Sequence, residues 1–386
     1  MEIKRLQLEK IKESPEAGKV IVVYGPRRSG KTTLVKEFLT TYSGKYLFMN
    51  ADELATREIL ESQSKSKFAE FVNGIQLLVI DEAQRVKDIG LNLKILVDSF
   101  PDLAIIATGS ASFDLANKVN EPLTGRKTTL TLYPISFEEI TTTMSLFEAK
   151  NQLERWLVWG GYPNVVTLAA ADKRSAFLGE LVGSYLYKDI LELGDLKRAD
   201  KIVDLLRLVA FQIGKEVSIA ELASNLSLNR DTVERYLDLL EKVFVIFRVG
   251  GFSRNLRKEI VKNHRYYFYD NGVRNTLIQN FNPIPVRDDI GQLWENYLMS
   301  ERMKVNHYHG RTVNSYFWRT YDQKEIDLIE ETGGKLYGFE FKWQKQKLNK
   351  STVKEFTQTY AQASVESVTS ENFDHFLLLQ TNPSSL

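Results

Sequence analysis

A glycine-rich loop between two apolar segments constrains this chain more than any other feature. Residues 25–32 read Gly-Pro-Arg-Arg-Ser-Gly-Lys-Thr, the pattern G-x-x-x-x-G-K-S/T. Residues 20–24 are continuously apolar, as in a buried strand, and residues 33–39 have the pattern of a helix. The glycines let the backbone curl so that successive N–H groups point at one spot, next to the positive end of the helix dipole. The sequence therefore predicts a phosphate-binding loop.

Each residue of this loop has an expected role. Lys31 supplies a positive charge for the β- and γ-phosphates, and Thr32 supplies a hydroxyl for Mg²⁺. ATP and Mg²⁺ are the predicted cofactors. A glycine-rich turn without a ligand is the alternative, and the flanking strand and helix disfavour it. The residues expected to contact the nucleotide are Gly25, Pro26, Arg27, Arg28, Ser29, Gly30, Lys31, Thr32 and Thr33.

A second apolar run, residues 77–80, ends in the two carboxylates Asp81 and Glu82. Strands that are buried on both faces of a parallel sheet lose the alternation of polar and apolar residues, as this run does. At the carboxyl end of such a strand Asp81 is expected to hold Mg²⁺ through water, and Glu82 to polarise the attacking water. A solvated Asp-Glu pair at an ordinary strand end is the alternative, which the phosphate loop about 50 residues upstream disfavours.

A third apolar run, residues 103–107, is followed by two small polar side chains, Thr108 and Ser110. They are candidates for the nucleotide site, and a plain turn is the alternative. Arg126 follows a glycine just before the next predicted strand, residues 129–132. It is predicted to reach the γ-phosphate of a neighbouring subunit and to stabilise charge in the transition state, with a surface arginine as the equal alternative.

The motifs together resemble a prokaryotic family of AAA+ ATPases that carries a C-terminal domain of nuclease-like fold. The resemblance rests on residues 25–34, 81–85, 108–110, 123–126, 133–137 and 160–163, in the family's order over nearly the whole chain. It implies ATP binding and hydrolysis in a homo-oligomer, a ring with a hexamer as one option, and Thr108 or Ser110 as the sensor of the γ-phosphate. The predicted fold class is α/β, with a P-loop AAA+ parallel sheet, a helical lid with a winged helix-turn-helix, and a restriction-endonuclease-like domain.

The predicted domains are residues 1–145, 146–250 and 251–386. Residues 145–215 have a helical pattern, and residues 217–251 predict the winged helix-turn-helix, with Ser218 and Asn229 as helix caps and a strand from Val243 to Val249. The solvent face of the second helix, 230–242, is too acidic to favour the major groove. Two basic segments, 254–265 and 342–354, are the candidates for backbone contacts to DNA, and a solvated face or a subunit contact is the alternative for the first.

Two short strands, Glu325–Glu331 and Leu336–Lys342, flank a Gly-Gly pair and predict a hairpin. The register would pair Asp327 with Glu340 and Glu325 with Lys342, leaving Ile326, Leu328, Phe339 and Phe341 on the core face. Two such carboxylates repel unless a cation lies between them, so a second metal held by Asp327 and Glu340 is predicted. This arrangement resembles the PD-(D/E)xK nuclease signature, with Glu295 as an outer carboxylate. Cross-strand ion pairs of Glu325 and Asp327 with Lys342 are the alternative.

Composition narrows the remaining classes of function. There is no cysteine, so disulfides and thiolate zinc sites are excluded. The four histidines are scattered along the chain, which disfavours a metal site built on histidine. The formal net charge is +1, no apolar run approaches the ~18 residues that span a bilayer, and the charged N-terminus lacks the apolar core of a signal peptide. We therefore expect a cytoplasmic protein without membrane contact that couples ATP hydrolysis to work on DNA. The alternatives are a nucleotide-controlled signalling switch and an ATP-gated, metal-dependent nuclease.

Overall fold

The computed structural model describes residues 3–110, 123–184, 199–253, 264–320, 322–360 and 362–378. Five parallel strands form the N-terminal sheet in the order β2-β3-β4-β1-β5. They are β1 (Val20–Tyr24), β2 (Tyr46–Asn50), β3 (Leu77–Asp81), β4 (Ala104–Thr108) and β5 (Lys127–Thr131). The three inner strands β1, β3 and β4 are buried at every position, which is why their sequences are continuously apolar.

Helices cover both faces of this sheet. Helices α1 (Gln7–Glu13) and α2 (Lys31–Thr41) share a core with Ile21 and Val23 of β1. On the other face, Val20 and Val22 pack with side chains from α3 (Leu54–Leu60), α4 (Lys65–Val72) and α5 (Ile89–Ser99). The predicted three-layer α/β core with a parallel sheet is therefore confirmed.

A helical region follows the sheet, as the pattern from residue 145 predicts. A short helix precedes it, α6 (Phe137–Thr141), capped by a reciprocal pair of hydrogen bonds between Ser136 and Glu139. The helices of the region are α7 (Leu146–Asn151), α8 (Leu153–Trp159), α9 (Pro163–Thr167), α10 (Ala171–Ser184) and α11 (Ala199–Phe211).

A helix pair and three strands come next: β6 (Glu216–Val217), α12 (Ile219–Leu226), α13 (Arg230–Lys242), β7 (Ile246–Gly251) and β8 (His264–Phe268). Ser218 and Asn229 cap the two helices, as predicted. Strand β7 begins at Ile246 and not at Val243, because α13 ends in a left-handed residue, Phe244, with φ 57°. The N–H of Val245 donates to the carbonyl of Leu240, which closes a Schellman motif usually made with glycine.

The C-terminal half is built on a seven-stranded sheet in the order β12-β11-β10-β9-β7-β8-β6. Its further strands are β9 (Asn314–Arg319), β10 (Glu325–Thr332), β11 (Lys335–Phe341) and β12 (Ser364–Val368). Gly250 and Gly251 of β7 pair in parallel with Tyr316 and Phe317 of β9. The predicted domain boundary at residue 250 therefore falls inside β7, which pairs with β8 on one side and with β9 on the other. The chain does not divide into domains at that residue.

The hairpin of β10 and β11 has the predicted register from Thr332–Lys335 out to Leu328–Phe339. On its other edge, the pairing with β9 shifts between Ile326 and Ile329, as a bulge would produce. Ile326 consequently packs with Trp318 and Phe356, whereas Leu328 packs with Phe339 and Phe341. The expectation that all four predicted core residues share one face is wrong for Ile326.

Among the described residues, four helices lie in the C-terminal half: α14 (Asn271–Leu277), α15 (Ile290–Tyr308), α16 (Lys350–Thr359) and α17 (Phe373–Leu377). Single 3₁₀ turns lie at Ala83–Arg85 and Ile284–Val286. Helix α15 packs Leu293, Trp294 and Leu298 against the face of the sheet that carries Leu328. Within the described residues, no helix combines the length and apolar character needed to cross a membrane.

Candidate functional site

The phosphate loop joins the end of β1 to the start of α2. Gly25 has φ 148°, and a Cβ there would collide with the carbonyl of Leu132. Gly30 has φ 98° and is the residue before the first turn of α2. Both positions lie in the backbone region that favours glycine, so the two motif glycines are required by geometry. Thr33 and Arg28 are exposed, whereas Pro26 and Ser29 are buried in the loop.

Lys31 and Thr32 lie where the predicted roles require them. The Nζ of Lys31 donates to the carbonyls of Gly25 and Pro26, at 3.0 and 2.9 Å, so its ammonium group lies inside the curl of the loop. The hydroxyl of Thr32 donates to the carboxylate of Asp81, 2.9 and 3.0 Å from its two oxygens. Thr108 donates to the same carboxylate from the end of β4. Three segments that are distant in sequence therefore meet at one carboxylate.

Glu82 follows Asp81 in a left-handed conformation, with φ 54°. A non-glycine residue there is strained, and such strain is often found at functional sites. Its N–H donates to the hydroxyl of Thr108 at 3.3 Å, and Gln84 donates to its carboxylate at 2.5 Å. Ser110 is buried two residues beyond β4, at the same edge of the sheet.

Arg126 is not brought to this site. It precedes β5, which runs parallel to β1 with Lys127 opposite Val20, so it lies at the amino edge of the sheet. The phosphate loop lies at the carboxyl edge. Arg126 is half exposed and pairs with Asp98 at the end of α5.

Contacts that the sequence does not predict hold the phosphate loop to the rest of the chain. Arg5 is buried and donates to the carbonyl of Ser29 at 2.8 Å. Arg28 pairs with Glu180 of α10 at 2.6 Å and lies over the ring of Phe177, which ties the loop to the helical region. No sequence signal distinguishes Arg5 from the neighbouring Lys4, because its partners are all distant in the chain.

The residues present fit ATP with Mg²⁺. The hydroxyl of Ser29 is buried and has no hydrogen-bond partner in the described part of the chain, as expected for a group beside an anion cradle. Thr32 and Asp81 offer one hydroxyl and one carboxylate, the hard oxygen ligands that Mg²⁺ takes in phosphate sites. Lys31 supplies the point charge.

Comparison with known families agrees with this geometry. Residues 17–141 match a family described as "AAA domain". The match and the fold support a P-loop, AAA-like ATPase domain. Residues 150–283 and 290–377 match two families that are each described as "Domain of unknown function", DUF8612 and DUF4143. The matched ranges divide the chain near residue 145 and again between 283 and 290, not at 250.

The similar full-length proteins are themselves uncharacterized. Relatives from Mycobacterium bovis and Mycobacterium tuberculosis are 26% identical over 328 residues, which cover 84% of this chain and 70% of each relative. A Methanocaldococcus jannaschii relative is 23% identical over 61% of this chain and 57% of its own length. Among solved structures, a Walker-type ATPase of Pyrococcus abyssi has a TM-score of 0.49 and 17% identity, covering 70% of this chain and 94% of that one. A likeness at that score carries no functional argument.

The predicted C-terminal carboxylates lie together around a buried arginine. Arg265 of β8 is 2% exposed and lies 3.6 Å from the carboxylate of Glu295 and 2.7 Å from that of Glu325. Glu295 also accepts a hydrogen bond from Tyr267 at 2.7 Å. Asp327 accepts from the N–H of Phe341 at 2.7 Å. Lys342 pairs with Glu340 at 3.0 Å, and the alternative of an ion pair with Glu325 does not occur among the described residues, although the charges of Lys342 and Asp327 still attract each other.

Burial shifts the ionisation of this cluster. It raises the pKa of Glu295 to about 8, and the charge of Asp327 adds to the effect. Burial likewise raises the pKa of Asp327 to about 6, although Lys342 opposes the shift. Burial alone would lower the pKa of Lys342, but Asp327 and Glu340 raise it above its ordinary value.

These carboxylates do not fit the predicted second metal ion. Glu295, Asp327 and Glu340 already have protein donors, and the positive charges of Arg265 and Lys342 lie beside Glu295 and Glu340. The described part of the chain contains no group of three or more acidic or histidine side chains arranged to hold a metal ion.

The two basic segments also differ from expectation. Arg265 is buried in ion pairs and is unavailable to a DNA backbone, and residues 254–263 lie outside the described residues. Trp343 packs edge-on against Trp294 and is therefore not an exposed stacking platform. The second segment still presents four exposed lysines, namely Lys345, Lys347, Lys350 and Lys354.

Proposed function

We propose that the chain binds and hydrolyses ATP, that it does so as an oligomer, and that DNA is the partner on which it acts. The observation that carries the ATPase proposal is the meeting of Thr32, Thr108 and Asp81 beside Lys31. Hydroxyl and carboxylate contacts of this kind are those that Mg²⁺ replaces when a nucleotide binds in a P-loop.

In this proposal each residue has a separate task. Mg²⁺, which Thr32 and Asp81 would hold, would supply positive charge beside the phosphates. Lys31 leaves the loop carbonyls and pairs with the phosphates. Glu82 orients and polarises the attacking water, and Thr108 keeps Asp81 and Glu82 in register through its two hydrogen bonds. Ser110 remains a candidate for contact with the γ-phosphate.

Oligomerisation is proposed on the placement of Arg126. Because Arg126 lies at the edge of the sheet opposite its own phosphate loop, a nucleotide that it contacts would be one bound by another subunit. ATPase activity per subunit is then expected to rise with protein concentration, and Arg126→Ala to lose turnover while keeping its ATP affinity. Lys127→Ala, one residue along, is the matched control. Activity per subunit that stays constant down to a demonstrably monomeric protein would contradict the proposal.

Work on DNA is proposed from the exposed lysines of residues 345–354. Four positive charges on one exposed segment favour phosphate-backbone contacts without sequence readout. Helix α13, which would read bases, is less suited because it carries four acidic residues against three basic ones, the acidic ones being Asp231, Glu234, Asp238 and Glu241.

The deciding experiment is an ATPase assay of the full chain, alone and with single- or double-stranded DNA. Stimulation by either DNA supports the proposal. ATP-dependent oligomerisation without stimulation would replace it with a nucleotide-controlled switch. If the protein cleaves DNA in the presence of Mn²⁺ and Asp327→Asn abolishes the cleavage, a nuclease function would replace the proposed one. The arrangement around Arg265 disfavours that outcome.

A further inference from the structure

Arg5 lies at a junction of three parts of the molecule that are far apart in sequence. Its guanidinium donates to the carbonyl of Ser29 in the phosphate loop at 2.8 Å and to the carbonyl of Tyr133 at 2.6 Å. It also pairs with Glu139 of α6 at 2.9 Å. The side chain is 8% exposed, and the carboxylate of Glu139 is fully buried. A buried guanidinium with three different acceptors fixes the distances between the segments that carry them.

The same junction includes the end of α15. The N–H of Tyr133 donates to the hydroxyl of Tyr308 at 3.1 Å, and the hydroxyl of Tyr133 lies 2.6 Å from Nδ1 of His307. Glu301, two turns earlier on α15, accepts from the N–H of Phe137 at 2.6 Å. The segment after β5 is therefore held by Arg5 on one side and by α15 on the other.

The charge of Arg5 is balanced inside this junction. Burial alone would lower its pKa, but Glu139 and Tyr308 more than offset that effect, so the pKa is raised. Glu139 is itself held by the N–H groups of Leu6 and Ser136, at 3.1 and 3.0 Å. The pair is thus anchored on both sides, and the remaining donors of Arg5 are available for the two backbone carbonyls.

The contact with Ser29 bears directly on the phosphate site. In a trans peptide the C=O and the next N–H point in opposite directions. By holding the carbonyl of Ser29, Arg5 turns the N–H of Gly30 away from itself. Backbone N–H groups of this loop are the donors that a phosphate would receive.

We propose that Arg5 is a positioning residue that orients the Ser29–Gly30 peptide for phosphate and links the phosphate loop through Tyr133 to Tyr308 of α15. This inference rests on the proposed ATP binding. It predicts that ATP changes the amide-exchange protection of α15, since any movement of the loop reaches that helix through three successive hydrogen bonds.

The test compares ATP affinity, ATPase kinetics and amide exchange over residues 290–308, with and without ATP. Arg5→Gln is expected to weaken ATP binding about 10-fold, the cost of losing one hydrogen bond from a charged donor. Arg5→Lys keeps the charge beside Glu139 but cannot reach both carbonyls. It should therefore recover less than half of the ATP affinity that Arg5→Gln loses, with affinity measured as the logarithm of Kd. Arg57→Gln is the matched control, because Arg57 also donates to two backbone carbonyls but lies away from the loop.

Tyr308→Phe tests the second half of the link and removes a single oxygen atom. ATP affinity should stay within about 2-fold of wild type, while the ATP-dependent change in exchange over residues 290–308 disappears. Full rescue by Arg5→Lys would reduce Arg5 to a structural charge and overturn the inference, as would an unchanged exchange response in Tyr308→Phe. If Arg5→Gln does not fold, the exchange response of Tyr308→Phe still decides. Failure of the wild type to bind ATP would instead remove the proposed function.

Discussion

Two acidic sites lie at strand ends in this chain, and their partners differ. At the end of β3, Asp81 accepts hydrogen bonds from two neutral hydroxyls, those of Thr32 and Thr108. In the seven-stranded sheet, the carboxylates of Glu295 and Glu325 face the guanidinium of Arg265. The first site keeps a net negative charge that a divalent ion can neutralise, whereas the second is already neutralised by the protein.

An acidic motif alone does not define a metal site. Both sites were predicted from carboxylates next to apolar residues, but Asp81 ends β3, whereas Glu325 begins β10 and Glu295 lies on α15. What separates them is the donor that the fold brings to the carboxylate from elsewhere in the chain. A hydroxyl donor leaves room for a cation, but a buried guanidinium is itself the cation.

The largest effects are expected at the first site. Glu82→Gln should retain ATP binding and lose about 10³-fold in turnover, within the range for removal of a general base. Lys31→Ala should lose about 100-fold in ATP affinity, near the upper end for a hydrogen bond to a charged group. Lys36→Ala, an exposed lysine on the same helix, is the control and should match wild type. Rapid hydrolysis by Glu82→Gln would remove Glu82 from the mechanism.

A smaller effect, on stability, is expected at the second site. Arg265→Met leaves Glu325 and Glu295 without their buried partner and should lower the free energy of unfolding by about 3 kcal/mol. Arg319→Met removes another partner of Glu325, but its side chain is 36% exposed, so the loss should be below about 1 kcal/mol. Chemical denaturation of both variants checks this. An equal loss in the two would show that Arg265 has no special role in neutralising the cluster.

The sequence predicted well those features that depend on neighbouring residues. The phosphate loop, the buried strands β3 and β4, the caps at Ser218 and Asn229, and the hairpin register all follow from spacing within a short window. The position of Asp81 beside Thr32 follows from the shared carboxyl edge of parallel strands.

Features that depend on distant contacts were missed. The pairing of β7 with β9 has no local signal, so the boundary was placed inside one sheet. Arg265 was grouped with the basic residues beside it, although it lies in a strand directly before Tyr266 and Tyr267, and aromatic neighbours in a strand are a sign of burial. Arg5 is separated by 134 residues from Glu139, and no periodic pattern connects them.

The ionisation of Glu295 at the second site should make the stability of the protein depend on pH. The pKa of Glu295 is about 8 in the folded chain and near 4.5 when unfolded, so folding favours its protonated form. The stabilisation from this group is full below pH 4.5 and is lost as the pH rises through 8. The side chain in Glu295→Gln cannot ionise. The free energy of unfolding of this variant, minus that of wild type, should therefore be higher at pH 9 than at pH 5 by on the order of 2 kcal/mol. Identical pH profiles for the two proteins in urea unfolding would contradict the assignment.

The smallest expected effect concerns the exposed lysines, which lie near the second site but outside its ion pairs. Counterion release makes the logarithm of DNA affinity fall with the logarithm of salt concentration, by about 0.9 per phosphate that is neutralised. Lys345→Ala/Lys347→Ala should therefore flatten this slope by about two units and weaken unrelated sequences equally.

The matched control is Lys65→Ala/Lys67→Ala, which removes two exposed lysines with the same spacing from α4, and it should keep the wild-type slope. Fluorescence anisotropy over a range of salt concentrations measures each slope. If the first variant keeps the wild-type slope, these lysines do not contact the backbone. If mutation of Arg230 or Arg235 instead removes a preference for one DNA sequence, DNA binds at α13. The acidic face of that helix would then not exclude DNA, because only part of the face would meet the groove.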